Sequence, residues 1–150
     1  MKEFPHKYKA SAHCNPNDPV ELTSPGLDPI SSTAPPEFGG PEGYWSPETL
    51  LVASVVDCFN LTFKAIARAS KLEWLELNCA AEGVLDKQDR ITRFTGFDLI
   101  ASLKIPAGTD AAKAKRLLEM AEKNCLITNS MSAGIELDIS VEVAPAPAAG

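Results

Sequence analysis

Between residues 46 and 70 the apolar side chains fall on nearly every side of a helical wheel: Leu50, Leu51, Val52, Val55, Val56, Phe59, Leu61, Phe63 and Ile66, with no Gly or Pro after Pro47. Ser46 as N-cap, Pro47 at the first helical position and Glu48 in the first turn mark where this helix starts. A helix apolar all round is buried, and Asp57, Asn60 and Lys64 make this one too polar for a membrane span. The pattern predicts a long buried central helix in a soluble core.

On either side the period changes to two. Tyr8, Ala10 and Ala12 alternate with Lys7, Lys9 and Ser11, which predicts a first strand within residues 1–13. A turn cluster from Cys14 to Pro19 follows, then a short second strand over Val20 to Thr23. Residues 24–45 are rich in Pro, Gly and Ser, so regular structure there is limited to short pieces. After the helix, Leu75, Leu77, Cys79, Ala81, Gly83 and Leu85 mark one face of a half-buried strand. Residues 86–89 predict a hairpin turn, and the return strand carries Phe97, Leu99, Ala101, Leu103 and Ile105 on one face, stops at Pro106 and has a β-bulge near Gly96. Thr109 is the expected cap of a second helix over about residues 110–124, striped by Ala114, Leu118, Ala121 and Cys125. Its charged residues, such as Lys115 and Glu119, read as a solvated face. Ile135 to Val143 alternate as a last strand. The order predicts an α+β fold with mostly antiparallel pairing, one domain over residues 1–143 and a disordered tail over 144–150.

Composition narrows the class of function. A net charge of -6 argues against a nucleic-acid binder, which shows a basic face. The first residues carry charges but no apolar signal region, and the expected compartment is the cytoplasm. The four cysteines, Cys14, Cys58, Cys79 and Cys125, form no C-x-x-C pair and have no ligand spacing for a metal. Such cysteines are either inert core residues or redox groups. Cys79 reads as strand core and Cys14 as an exposed thiol in a polar turn.

Cys58 on the buried helix and Cys125 on the stripe of the second helix face the same interior. A disulfide between them needs Cα atoms within about 7 Å. If they meet, they suit a cycle in which one thiolate attacks a peroxide and the other traps the sulfenic acid as a disulfide. Burial raises a thiol pKa, and Cys58 lies beyond the first turn, where the helix dipole fades, so a nearby cation is expected. Glu48, ten residues earlier, is about 15 Å away along the helix. To act at Cys58 it has to come from a second subunit. Tyr44 and Trp45 are candidates for lining a substrate entrance, whereas Phe59 and Phe63 read as core.

The run EFGGPEGYWSPETLLVASVVDCFNLTF resembles the OsmC/Ohr family of thiol-dependent hydroperoxide reductases, in which a Gly-rich loop leads to a Pro-Glu segment and a helical Cys ten residues after the Glu. Glu48 and Cys58 fit that spacing, and Cys125 in NCLITNSM matches the family's second cysteine. The resemblance implies an OsmC-like fold, antiparallel sheets around the central helix in an intertwined homodimer. It implies Cys58 as attacking and Cys125 as resolving cysteine, organic hydroperoxides (with hydrogen peroxide beside them) as substrates, a small dithiol or lipoylated protein as reductant, and no cofactor or metal. The chain departs from the family in one respect. Well-studied members use an N-terminal Arg at the thiolate, and here no Arg precedes Arg68; Lys2, Lys7, Lys9, His6 and His13 are the N-terminal candidates for the charge, with Arg68 and Arg93 elsewhere. Two other readings follow from that departure: a non-catalytic OsmC-like module that binds a ligand or senses oxidation, and an enzyme using Cys58 on a different electrophile.

Overall fold

The computed structural model describes residues 1–148, in two compact units, Met1–Leu51 and the chain from Val52 onward. The first unit holds a small antiparallel sheet of β1 (Ser11–His13), β2 (Val20–Thr23) and β3 (Ile30–Ser32) in that spatial order. The first strand is much shorter than the alternation from Tyr8 predicts. Residues 1–10 are exposed, with nothing buried to reward pairing, and only Ser11, Ala12 and His13 find partners on β2. The Pro/Gly-rich segment contributes β3 and one 3-10 turn, Pro36–Phe38. Gly40 is obligatory there, because a Cβ would lie 1.7 Å from the Ala34 carbonyl oxygen.

The unit ends in the first turn of helix α1 (Pro47–Ala69). Ser46 caps it as expected: its Oγ accepts from the Thr49 N–H at 3.2 Å, and Thr49 Oγ1 accepts from the Ser46 N–H at 2.9 Å, a reciprocal box that satisfies two backbone donors. The rest of α1 lies in the second unit. There only one stripe, Val55, Phe59, Phe63 and Ala67, is buried. This corrects the expectation of a helix buried on all sides. A single chain covers one face, and Leu61 remains 56% exposed. The expectation that Asp57, Asn60 and Lys64 make α1 too polar for a span is also corrected: by length and composition the helix is apolar enough to cross a membrane, a property shared with core helices of soluble proteins.

The second sheet is ordered β4-β5-β6, from β4 (Glu76–Gln88), β5 (Ile91–Ile105) and β6 (Gly134–Val143). The β4–β5 hairpin turns at Asp89 and Arg90, with φ of 49° and 66°, so β4 runs on through the residues read as a turn. Two consecutive left-handed residues match the strand twist in a tight hairpin. The bulge falls where expected: Val84 pairs with Gly96 and Leu85 with Phe94, so Thr95 is the extra residue. It brings Phe94 and Phe97 into a stack at 5.1 Å. β5 and β6 pair in parallel, while the other pairs in both sheets are antiparallel. Parallel neighbours need a crossover, here helix α2 (Ala111–Lys123). Its cap is Asp110 and not Thr109: the Asp110 carboxylate accepts from the Lys113 N–H at 3.1 Å. A carboxylate also suits the positive end of the helix dipole.

The inner face of β5, from Phe97 to Ile105 in alternation, joins the stripes of α1 and α2 in supplying the core. Lys113 of α2 donates from Nζ to the Ser70 carbonyl at 2.8 Å, just past the end of α1. Ala144 still donates to Ile105 O at 2.8 Å, residues 145–148 have no regular structure, and residues 149–150 of the expected disordered tail lie outside the described residues.

Candidate functional site

Cys125 follows α2 on the buried stripe that began at Ala114, and it is 1% exposed. The chain then tightens into a 3-10 turn, Thr128–Ser130. The Cys125 carbonyl accepts from the Asn129 N–H at 3.0 Å and from Thr128 Oγ1 at 3.1 Å. Helix α1 supplies Cys58 one residue before the buried Phe59, and this offset leaves Cys58 half-buried. The two thiols are neighbours, close enough for Cys58 to act on the ionisation of Cys125. Both are free.

The two sulfurs have different surroundings. Burial pushes the Cys125 thiol above the ordinary range. The adjacent Thr128 opposes this rise, and the neighbouring Cys58 adds to it. Cys58 lines an open groove of about 480 Å³. Leu61, Ala65, Leu126 and Ile127 give this groove an apolar wall; Ser54, Asp57 and Thr62 are its polar members. No Lys or Arg is among its lining residues. Cys58 Sγ lies 3.9 Å from Thr62 Oγ1.

Glu48 belongs to the first unit. It lines an apolar cavity of about 500 Å³ with Val20, Leu22, Pro35, Phe38 and Leu50. Its Oε2 is closed to solvent and has no hydrogen-bond partner among the described residues. A carboxylate oxygen in that position lacks a donor it would ordinarily have. Tyr44 and Trp45 are about half exposed, and neither lines this cavity.

The remaining cysteines stand apart from this chemistry. Cys79 faces inward on β4 opposite Ala101, and burial pushes its thiol up to about 11. Cys14 is exposed beside a turn in which Asn15 Oδ1 accepts from the N–H groups of Asn17 and Asp18. Among the described residues no cluster of His, Cys, Asp and Glu is arranged to hold a metal ion. Sequence reasoning missed both threonines. Thr62 had a legible signal, its i+4 spacing from Cys58. Thr128 had none, because the 3-10 turn that returns it to Cys125 has no sequence period.

Comparison with known proteins gives a consistent result. The sequence profile of the family described as OsmC-like protein matches residues 39–140. A Bacillus subtilis (strain 168) relative, the uncharacterised protein YmaD, is 29% identical over 140 residues, 90% of this chain and 91% of its own. Among solved structures, an OsmC-like protein of unknown function from Vibrio cholerae superposes with a TM-score of 0.82 at 20% identity, covering 91% of this chain and all of its own. An organic hydroperoxide resistance protein OsmC from Legionella pneumophila does so with a TM-score of 0.71 at 25% identity, covering 94% and 100%.

Proposed function

This chain belongs to the OsmC-like protein family, and from that premise we propose that it is a thiol-dependent peroxidase that reduces organic hydroperoxides. The observation that carries the reading is the pairing of a half-exposed Cys58 in a groove with a buried, free Cys125 beside it. The Cys58 thiolate attacks the terminal oxygen of the hydroperoxide. An S–O bond forms, the O–O bond breaks, and the alcohol leaves with one proton. Cys125, as thiolate, then attacks the sulfenic sulfur; the S–S bond forms and the displaced hydroxide leaves as water. A dithiol donor, small or protein-borne as a lipoyl group, reduces the disulfide and is itself oxidised to a disulfide. The net change is one hydroperoxide and one dithiol to one alcohol, one water and one disulfide. A donor of this kind fits the cytoplasm, where thiols are kept reduced.

The apolar wall of the groove suits the alkyl or aryl part of the substrate. The working form in this reading is a homodimer. Two observations support it: α1 leaves apolar surface uncovered at Leu61, and Glu48 keeps an oxygen without a donor among the described residues. In this reading Glu48 of a second copy reaches Cys58, because ten residues of helix put Glu48 about 15 Å from Cys58 within one chain. Sedimentation tests this directly: a strictly monomeric active protein rules out the shared site.

Turnover of cumene hydroperoxide with dihydrolipoamide, for wild type, Cys58→Ser and Cys125→Ser, tests the activity. Wild-type consumption with an inactive Cys58→Ser is the expected result. The lack of Lys or Arg around the groove favours one alternative, a redox sensor or binding module that does not cycle. In that case wild type consumes no more peroxide than Cys58→Ser.

A further inference from the structure

A reactive cysteine works as the thiolate, and protein surroundings usually favour that form with a cation or with hydrogen-bond donors. In the Cys58 groove the charged lining residue is Asp57, which has the same sign as a thiolate. The other titratable groups that bear on the sulfur are Cys125, arriving from the end of α2, and, in the dimeric reading, Glu48 of the second copy. None of the three carries a positive charge that would attract a thiolate. The lining offers neutral donors instead. Thr62 sits four residues on in α1, one turn away on the same helix face. It is half-buried, it lines the same groove, and its Oγ1 is 3.9 Å from Cys58 Sγ. A hydroxyl hydrogen can rotate toward whichever acceptor gains most from it, and a sulfur that acquires negative charge becomes the stronger acceptor.

We propose that Thr62 is a positioning residue for Cys58: its hydroxyl donates to the sulfur, favours the thiolate and holds the sulfur toward the groove. This deepens the peroxidase reading and rests on it for its purpose, though not for its test. The hydroxyl has one other use at this spacing, a bond back to the Cys58 backbone carbonyl. That bond would steady the helix and leave thiol ionisation unchanged.

The test is the rate at which iodoacetamide alkylates Cys58 in the full reduced chain across a pH range, read by mass mapping of the Cys58 peptide. Wild type, Thr62→Val and Thr62→Ser are compared, with Thr62→Ala as a smaller second replacement should the valine fail to fold. Loss of one hydrogen bond to a charged group should move the midpoint of Thr62→Val upward by about one pH unit, a roughly tenfold slower reaction near neutral pH with the same plateau at high pH. Thr62→Ser should keep the wild-type profile. A wild-type profile in Thr62→Val or Thr62→Ala, or a serine variant that behaves like valine, overturns the proposal. Because no peroxide enters the measurement, a chain without peroxidase turnover still gives a clear answer on Thr62, and a failed Thr62 result leaves the two-cysteine cycle standing.

Discussion

Cys58 and Cys125, sixty-seven residues apart in sequence, are side-chain neighbours, and only one of them opens onto a groove. In the proposed cycle substrate would therefore meet Cys58 first, with Cys125, at 1% exposure, kept from solvent until a neighbouring sulfur became its target. This asymmetry assigns the order of events in the proposed cycle.

Gly83 ties the sheet to α1. A Cβ there would lie 2.9 Å from Phe94 Cε1, Phe97 Cε1 and Val52 Cγ2 together. Three side chains would have to move, two of them a stacked pair. Gly83→Ala should cost about 1–3 kcal/mol in urea unfolding, the usual range for overpacking.

The outer face of the second sheet carries a row of three carboxylates, Glu82, Asp98 and Glu136, directly opposite one another on adjacent strands. Two rows nearby are well matched: Lys104 stands between Glu76 and Glu142, and Ser102 hydrogen-bonds Ser140 at 2.7 Å. Like charges directly opposite oppose pairing. Asp98→Asn should raise stability by about 0.5 kcal/mol at low salt, and the gain should shrink as salt screens the row.

The cap of α2 distinguishes two neighbouring residues. Asp110→Ala removes the acceptor for the Lys113 N–H and should cost about 1 kcal/mol. Thr109→Ala should stay within about 0.5 kcal/mol of wild type. Thermal melts of the two variants read this directly.

Folding holds the Cys79 thiol protonated up to about 11, against 9.0 for an ordinary cysteine. The unfolded chain gives up this proton first as pH rises. The stability tied to Cys79 is therefore whole below an ordinary thiol pKa and is lost as pH climbs through the folded value. Urea unfolding of wild type and Cys79→Val from about pH 8 to about pH 11 should show wild type losing stability relative to the variant across that window. Cys125, also raised, acts in the same direction in both proteins.

Much of the fold was legible because period and punctuation agree. Ser46 and Pro47 marked the start of α1, the alternation through Phe97 to Ile105 marked β5, and Gly96 marked the bulge. Misreadings arose where a local pattern lacked tertiary support. The alternation at Tyr8 met no partner strand, and the polar run at Asp86 continued β4 because the chain turned only at Asp89 and Arg90. The apolar girdle of α1 stated what the helix would bury without stating against what, so one chain buries a single stripe. For the site, Cys58, Cys125 and Glu48 were visible as residue types at telling spacings. Their surroundings were less so: the donor-less Oε2 of Glu48 and the placing of Thr128 against Cys125 depend on chain returns that no sequence period records, whereas Thr62 follows Cys58 at the i+4 helical spacing.

The central claim is the two-cysteine cycle, and the most direct test is thiol counting with disulfide mapping after one equivalent of cumene hydroperoxide is added to the fully reduced protein. Two thiols per chain should disappear and a single Cys58–Cys125 cross-link should be recovered, with Cys125→Ser giving sulfenic acid at Cys58 and no intrachain disulfide. A wild-type protein that keeps all four thiols, or loses them at Cys14 or Cys79 while Cys58 stays reduced, would contradict the cycle.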